Sequence, residues 1–382
     1  MAEMTSRERV MAALRHEEPD RVPLDIGGGT STTLLEETYD SLKKYMGISA
    51  PTRIWNKAFR LAVLDEEAMV RLGSDLRSVS LRPPKNWSPP PSEPGTFVDV
   101  WNIKRRRADY PGGYYWELLE HPLAHATISD LGSYAWPDPE DPGWFAGLSE
   151  DVKNLYENTQ YALMGDFLFK GFWEIGYFIR GLEQSLFDIL KNKNFWHAFM
   201  TRMLELNIAF AEKFLKIAGP YIAVIRTSDD LATQSGPMMS PKSYREMIMP
   251  YQKRLNEVIK KYTDATIFFH CCGDVTALVP DLIEAGVEAL NPFQVGAIPD
   301  PAGIKAKYGD KMSFWGGIDT QHVLPHGTPE DVKEEVRLRI RQLGHGGGYV
   351  AAAVHNIQPD VQPENIVAMA QAVREFGKYP LR

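Results

Sequence analysis

The chain has 382 residues and a formal net charge of -8 at pH 7, with a sequence pI near 5.7. This acidic balance argues against a phosphate-binding surface, so we expect no nucleic-acid partner. The N-terminal MAEMTSRERV is charged, and no stretch approaches the ~18 apolar residues that cross a bilayer, so we expect a cytoplasmic protein without membrane contact. The only cysteines, Cys271 and Cys272, are adjacent and poorly placed to bridge each other, which excludes a disulfide framework. The oligomeric state is open, and a homodimer is one of the states we consider.

The N-terminal third mixes short elements with breaker residues. Thr5 and Glu8 have the spacing of a capping box and predict a helix over RERVMAALRH. The following residues predict a short strand at 22–26, helices at about 33–46 and 64–72, and a strand at 76–82. Prolines in 83–100 and in WPDPEDPG, with β-hairpin patterns over 97–127, predict an insertion at about 83–143. Its basic run KRRR (104–107) is interpreted as a solvated hairpin edge.

From about residue 146 onward, apolar strand-like runs alternate with helical patterns. The predicted strands are 161–167, 221–230, 265–273, 287–294, 312–319 and 348–356. The predicted helices are about 174–191, 195–217, 241–261, 275–285, 301–308, 328–343 and 363–377. This alternation is typical of parallel strands buried on both sides. With 22–26 and 76–82 the strand count comes close to eight, which favours an α/β fold of the (β/α)8 TIM-type barrel class, with one domain over 1–382.

Six predicted strands end in polar residues, and the carboxyl ends of barrel strands carry the active sites of this fold class. These endings are Gly165-Asp166, Ser228-Asp229-Asp230, His270 to Asp274, Asn291 with Gln294, Asp319, and His355-Asn356. We expect one of Asp229 and Asp230 to cap or bind backbone and one to reach the site. Gln294 and Asp319 are further candidates.

The octet FFHCCGDV holds both cysteines next to a histidine. On a strand, His270 and Cys272 share one face with Phe268, while Cys271 points the other way with Phe269. His270 and Cys272 could therefore form half of a zinc site, although a set of buried core residues or a vicinal redox pair are alternatives. In GYVAAAVHN the same alternation groups His355 with Tyr349, Ala351 and Ala353, so His355 is the predicted third ligand. Asp229 or Asp230 could supply a fourth ligand, or that position could stay open for substrate.

Several segments, in order along nearly the whole chain, resemble the uroporphyrinogen decarboxylase superfamily. They are SRERVMAALRHEEPDRVPLDI, PLAHATISDLGSYAWPDPEDP, GFWEIGYFIRGLEQSLFDIL, SDDLATQSGPMMSPKSYREMIMPYQKRL, FFHCCGDV, LNPFQ, WGGIDTQHVLPHGTPEDVKEEV and HNIQPDVQPENI. The resemblance implies a (β/α)8 barrel and makes Glu174 the substrate-facing candidate of its helix. Arg180 is a second candidate there, with an internal ion pair to Glu174 or Glu183 as the alternative.

The superfamily contains two kinds of chemistry. Porphyrinogen decarboxylases carry an R-Q-A-G-R motif for substrate carboxylates, whereas the corresponding PLDIGGGTST here has no arginine. Methyltransferases that resemble the methylcobamide:thiol enzymes carry H-x-C and a distant cysteine as zinc ligands. His270 and Cys272 match H-x-C, but His355 stands at the cysteine position, which implies a more electrophilic zinc.

These observations predict a zinc-dependent methyltransferase that works with a corrinoid protein and a small methyl donor or acceptor. Related members take the methyl group from a methyl ether, and a more cationic zinc suits that role better than activation of a thiol. In this prediction Glu174, Asp229 and Asp230 are catalytic, and Asn291, Gln294, Asp319 and Arg180 bind substrate. A metal-independent porphyrinogen decarboxylase and a non-catalytic corrinoid-binding subunit are the alternatives.

Overall fold

A curled parallel sheet lies at the centre of the computed structural model, which describes residues 3–110, 113–167 and 170–381. Within these ranges the strands are β1 (Arg53–Asn56), β2 (Leu61–Val63), β3 (Leu76–Ser80), β4 (Thr96–Val98), β5 (Lys104–Tyr110), β6 (Gly113–Glu120), β7 (Ala162–Asp166), β8 (Val224–Ser228), β9 (Ala232–Thr233), β10 (Gly236–Pro237), β11 (Thr266–His270), β12 (Ala289–Phe293), β13 (Ser313–Ile318) and β14 (Tyr349–Ala353).

The α-helices surround this sheet. They are α1 (Ser6–Leu14), α2 (Glu36–Met46), α3 (Glu66–Leu72), α4 (Asp130–Ser133), α5 (Leu148–Asn158), α6 (Phe172–Arg180), α7 (Leu182–Lys191), α8 (Lys193–Ala218), α9 (Pro241–Met247), α10 (Met249–Ile259), α11 (Val279–Glu284), α12 (Pro301–Tyr308), α13 (Val323–His326), α14 (Pro329–Leu343) and α15 (Pro363–Phe376). None of the helices in the described ranges is both long and apolar enough to span a bilayer.

Seven parallel strands lie in the order β14-β13-β12-β11-β8-β7-β3. The segment 22–26 fills the gap between the first and the last, although it forms only an isolated bridge from Leu24 to Ala351 rather than the predicted strand. Asp25 N–H donates to the Ala351 carbonyl at 2.9 Å, and Asp75 N–H donates to the Leu24 carbonyl at 2.8 Å. The segment thus takes the eighth position, and the predicted TIM-type barrel is confirmed.

The barrel interior is a packed core below the strand ends. One face of the strands contributes Leu76, Met164, Val224, Phe268, Trp315 and Val350 to a single buried cluster. Phe268 and Trp315 meet edge to face with ring centroids 5.0 Å apart. Val10 and Leu14 of α1 join this cluster, so the helix that the Thr5–Glu8 capping box starts closes the amino-terminal end of the barrel. The packed interior leaves the carboxyl ends of the strands, where barrels of this class carry their active sites, as the region to search for a functional site.

The insertion forms a separate antiparallel sheet, β4-β5-β6, where hairpins are predicted. KRRR lies on the central strand β5 and not at an edge, so that part of the interpretation is wrong; Arg105 is buried, whereas Arg106 and Arg107 are exposed as expected. The predicted helix over 174–191 is two helices, since Gly181 adopts a φ of +90° between α6 and α7. The hairpin β1–β2 and helix α5 have no counterpart in the prediction.

Candidate metal centre

His270 and Cys272 lie at the carboxyl end of β11, where the strand runs into a loop. Phe268 belongs to the interior cluster, whereas Phe269 and Cys271 belong to the cluster between sheet and helices, as the alternation predicts. The neighbouring segments fix this loop. Cys271 N–H donates to the Asn291 carbonyl at 2.6 Å, and Cys272 N–H donates to Asp230 Oδ1 at 3.0 Å. The two candidate ligands therefore start from a fixed backbone.

The structure brings His270, Cys272 and His355 together. One ligand atom from each of the three lies within 4.8 Å of the others, and Cys272 Sγ is 3.5 Å from His270 Nε2. Tetrahedral zinc with ordinary Zn–N and Zn–S bonds needs about 3.6 Å between such a nitrogen and sulfur. The donor set of two imidazoles and one thiol also suits zinc. Both the spacing and the chemistry of the donors fit the ion.

His355 reaches this cluster by a different route from the predicted one. Val350 and Ala352 face the barrel interior, whereas Tyr349, Ala351 and Ala353 pack on the outer side, so the predicted face is wrong. Strand β14 ends at Ala353, and the chain bends over the next three residues. Because the bend interrupts the period-2 alternation, His355 turns inward although its strand register would point it outward.

Burial sets the protonation of the three side chains. Desolvation lowers the pKa of His270 to about 4, against an opposing effect of Asp230, and lowers the pKa of His355 for the same reason. Desolvation also raises the pKa of the Cys272 thiol well above its usual range. Without a cation, the cluster therefore holds neutral imidazoles and a neutral thiol near pH 7. A bound zinc ion would displace one proton, from Cys272.

Asp229 and Asp230 lie in different surroundings, the first bound to backbone N–H groups and the second at the cavity. Asp229 is buried, and its carboxylate accepts hydrogen bonds from the N–H groups of Trp173 and Glu174 at 2.9 and 2.7 Å, which caps α6. A side chain on Gly171 would collide with the Ser228 carbonyl, so only glycine permits this close approach. Asp230 instead lines the cavity beside His270 and His355.

A cavity of about 360 Å³ opens at the carboxyl ends of the strands, and Glu174 lines it together with His270 and His355. Burial raises the pKa of Glu174; Lys170 and Arg226 oppose this shift and Asp230 adds to it. The other residues that line the cavity include Thr30, Ser31, Trp55, Asn56, Phe59, Ser80, Arg82, Trp144, Asp166, Phe167 and Ser228. The lining is mixed, with aromatic rings on one hand and charges of both signs on the other.

Four predicted substrate-binding residues do not line this cavity. Asn291 is fully buried behind His270, and its Oδ1 lies 2.6 Å from His270 Nδ1. Gln294 accepts from the Gly273 N–H at 2.7 Å, and Asp319 accepts from the Gln321 N–H at 2.6 Å, so both hold turns.

Arg180 forms a buried ion pair with Asp188 at 2.7 Å and donates to the Leu123 and Ala126 carbonyls. The alternative of an ion pair with Glu174 or Glu183 is therefore wrong. The polar groups of all four residues are hydrogen-bonded or ion-paired within the protein, and their role as substrate ligands stays a prediction.

The prediction missed Arg226 in the lining and named Asp166 only as a polar strand ending, although the sequence could have indicated both as lining residues. Arg226 shares the inward face of β8 with Val224, and Asp166 shares that of β7 with Met164. Arg226 Nε donates to Ser31 Oγ at 2.7 Å, and its Nη1 is 3.5 Å from Asp166 Oδ1. The same period-2 alternation that separates Cys271 from Cys272 predicts that Arg226 and Asp166 point into the barrel. Trp55 and Phe59 come from the unpredicted β1–β2 hairpin and carry no such signal.

Comparisons with known proteins extend over most or all of the chain. The uroporphyrinogen decarboxylase (URO-D) family profile matches residues 129–376. A uroporphyrinogen decarboxylase from Pseudoalteromonas translucida is 25% identical over 280 residues, which cover 69% of this chain and 74% of the relative. The methylcobamide:CoM methyltransferase MtbA from Methanosarcina mazei is 22% identical over 381 residues, covering 98% of this chain and all of the relative. A solved methyltransferase structure from Methanosarcina mazei aligns with a TM-score of 0.67 at 18% identity, over 98% of this chain and 99% of that one, so the two share the barrel fold.

Proposed function

The chain belongs to the uroporphyrinogen decarboxylase family, and we propose that it is a zinc-dependent methyltransferase working between a corrinoid protein and a small substrate. The observation that carries this proposal is the His270–Cys272–His355 cluster, of which His270 and His355 line a cavity at the carboxyl ends of the barrel strands. Similarity to a methylcobamide:CoM methyltransferase over 98% of the chain supports the same reading.

The donor set favours a methyl ether over a thiol as the substrate. His270, Cys272 and His355 would hold zinc, which would act as a Lewis acid on the heteroatom of the substrate. Two neutral imidazoles and one thiolate leave such a site with a net positive charge. A positive site polarises an ether oxygen better than it supports the release of a thiolate to an electrophile.

In this proposal Glu174, which lines the cavity, supplies the proton of the reaction. When a methyl ether is demethylated, the oxygen loses its methyl group and must gain a proton. Burial raises the pKa of Glu174, so its carboxyl group holds a proton at a higher pH than an exposed glutamate would. We assign Glu174 as the general acid. We propose that Asp230 orients the loop after β11 by accepting a hydrogen bond from Cys272 N–H. We propose that Asp229 positions Glu174 by capping the start of α6.

A porphyrinogen decarboxylase is the second candidate, because the cavity contains Arg82, Lys170 and Arg226 and several relatives carry that name. Two of these cations already have acidic partners. Arg82 contacts Asp151 at 2.6 Å, and Arg226 faces Asp166. The segment DIGGGTST offers no arginine to replace them. A substrate with many carboxylates would therefore lack the cationic clamp that it requires.

Two assays on the purified protein test the choice, the first with zinc-loaded protein and the second with chelator-treated protein. The first supplies free cob(I)alamin with anisole as a methyl ether, and follows methylcobalamin formation by its absorbance. The second supplies uroporphyrinogen without metal and follows carboxylate loss. We expect turnover in the first assay, its loss in Cys272→Ala and its retention in Cys271→Ala. Turnover of uroporphyrinogen by chelator-treated protein would overturn the proposal.

A further inference from the structure

Asn291 stands directly behind the candidate metal ligand His270. The two residues are paired across strands β11 and β12, and Asn291 Oδ1 lies 2.6 Å from His270 Nδ1. Asn291 is completely buried and does not line the cavity. Asn291 contacts the side of the His270 ring that faces away from the cluster, and it cannot reach a molecule in the cavity. We therefore expect Asn291 to act through His270.

The orientation of the Asn291 amide follows from its second contact. Asn291 Nδ2 lies 3.3 Å from the carbonyl oxygen of Trp315. A carbonyl oxygen only accepts hydrogen bonds, so the NH2 group of the amide must point to Trp315 and its oxygen to His270. This removes the ambiguity between the two ends of an asparagine side chain. The Trp315 indole N–H in turn donates to Asp25 Oδ2 at 3.0 Å, which anchors the tryptophan.

An amide oxygen next to Nδ1 dictates the tautomer of the imidazole. Because Asn291 Oδ1 only accepts, His270 Nδ1 must carry the hydrogen, and the lone pair of the neutral ring is left on Nε2. Nε2 is the nitrogen that lies 3.5 Å from Cys272 Sγ. The atom that faces the cluster is thus the one able to bind a cation.

We propose that Asn291 is a positioning residue that locks His270 in the Nδ1–H tautomer and presents Nε2 to a zinc ion shared with Cys272 and His355. The inference rests on the proposed function for the identity of the ion, but the tautomer is a property of the metal-free protein. It also replaces substrate binding as the role of Asn291. A partner behind a metal-bound histidine fixes the ring and increases its basicity, and its loss typically weakens metal binding about 10- to 100-fold.

The first test reads the tautomer directly. The protein is labelled with 15N-histidine, stripped of metal with a chelator and studied by long-range 1H–15N NMR near neutral pH. It has nine histidines, and comparison with His270→Gln identifies the signals of His270. We expect the Nδ1–H form in the wild type and a tautomer mixture in Asn291→Leu. The Nε2–H form in the wild type would overturn the inference, whether or not the protein binds zinc.

The second test measures zinc affinity by competition with a chromophoric chelator. Asn291→Leu removes the acceptor at similar volume, whereas Asn291→Asp keeps an acceptor for Nδ1–H. Asn365→Leu is the control, because Asn365 is equally buried and its Nδ2 donates to the Leu324 and Gly327 carbonyls away from the cluster. We expect about 10- to 100-fold weaker binding in Asn291→Leu, recovery in Asn291→Asp and wild-type affinity in Asn365→Leu. Equal zinc affinity in wild type and Asn291→Leu would refute the role of Asn291, and absence of zinc from all of them would instead refute the proposed function.

Discussion

The candidate ligands come from two strand ends of different regularity. His270 is the last residue of β11, and the loop that follows is held by hydrogen bonds from Cys271 N–H and Cys272 N–H to both neighbouring segments. His355 follows β14 by two residues and reaches the cluster through a bend. Alternation along a strand gives the direction of a side chain as far as the strand continues, and no further. The comparison therefore separates ligands that a sequence pattern can place from ligands that only the fold can place.

The largest effect is expected from the adjacent cysteines, whose side chains point to opposite faces of the strand end. Cys272→Ala removes the only anionic ligand of the cluster and should weaken zinc binding more than about 100-fold, beyond the usual loss from a supporting residue. Cys271→Ala should leave zinc binding unchanged and cost about 1 kcal/mol of stability, because Cys271 Sγ accepts from Leu231 N–H at 3.2 Å. Metal content by mass spectrometry and urea unfolding measure the two effects. Equal zinc loss in both variants would show that strand alternation does not distinguish the metal-binding cysteine from the core cysteine.

The second prediction compares the zinc affinity lost with His355, the ligand that follows the bend, with the affinity lost with Cys272 beside β11. His355→Ala should weaken zinc binding about 10- to 100-fold, less than Cys272→Ala, because a neutral ligand is lost and a water molecule can take its place. His355→Cys restores the ligand type that the methylcobamide:thiol pattern has at this position and should bind zinc more tightly than the wild type. Chelator competition ranks the three proteins. Wild-type affinity in His355→Ala would leave His270 and Cys272 as only half of a site.

The fold could be predicted from the sequence where one periodic pattern of apolar residues extends over a whole strand or helix. The candidate site could be predicted only in part. Period-2 alternation placed Phe268, His270 and Cys271 correctly, and it would have placed Arg226 and Asp166. It failed for His355, where the strand ends early. Polarity at a strand end correctly indicated Asp166, Asp230, His270 and His355 as cavity-lining residues, but Gln294 and Asp319 lie outside the lining. Buried polar groups must find hydrogen-bond partners, and Gln294 and Asp319 find them in the backbone of nearby turns.

The third prediction concerns the proton released on zinc binding, and whether it comes from the thiol of Cys272 or from an imidazole. Burial lowers the pKa of His270 to about 4 and raises the pKa of Cys272 well above its usual range. Between roughly pH 6 and 8 the imidazoles therefore have no proton to lose, and zinc must displace the thiol proton. Zinc affinity should rise about tenfold per pH unit in this range, since a rise in pH favours the thiolate. Calorimetry in buffers of different ionisation enthalpy should find about one proton released per zinc, whereas release near zero would mean that Cys272 is not a ligand.

The smallest effect is expected from Asp229 and Asp230, the adjacent pair at the end of β8. Asp229→Ala leaves the N–H groups of Trp173 and Glu174 without their acceptor and should cost about 1–2 kcal/mol of stability. Asp229→Asn keeps one acceptor oxygen and should cost less. Asp230→Ala should leave the unfolding free energy nearly unchanged, because the partly buried Asp230 has a carboxylate in the cavity, but it should slow methyl transfer by loosening the Cys272 loop. Urea unfolding and the anisole assay on the same preparations separate the two outcomes. A stability loss in Asp230→Ala as large as that in Asp229→Ala would mean that both carboxylates support the fold and that this strand end has no residue free for chemistry.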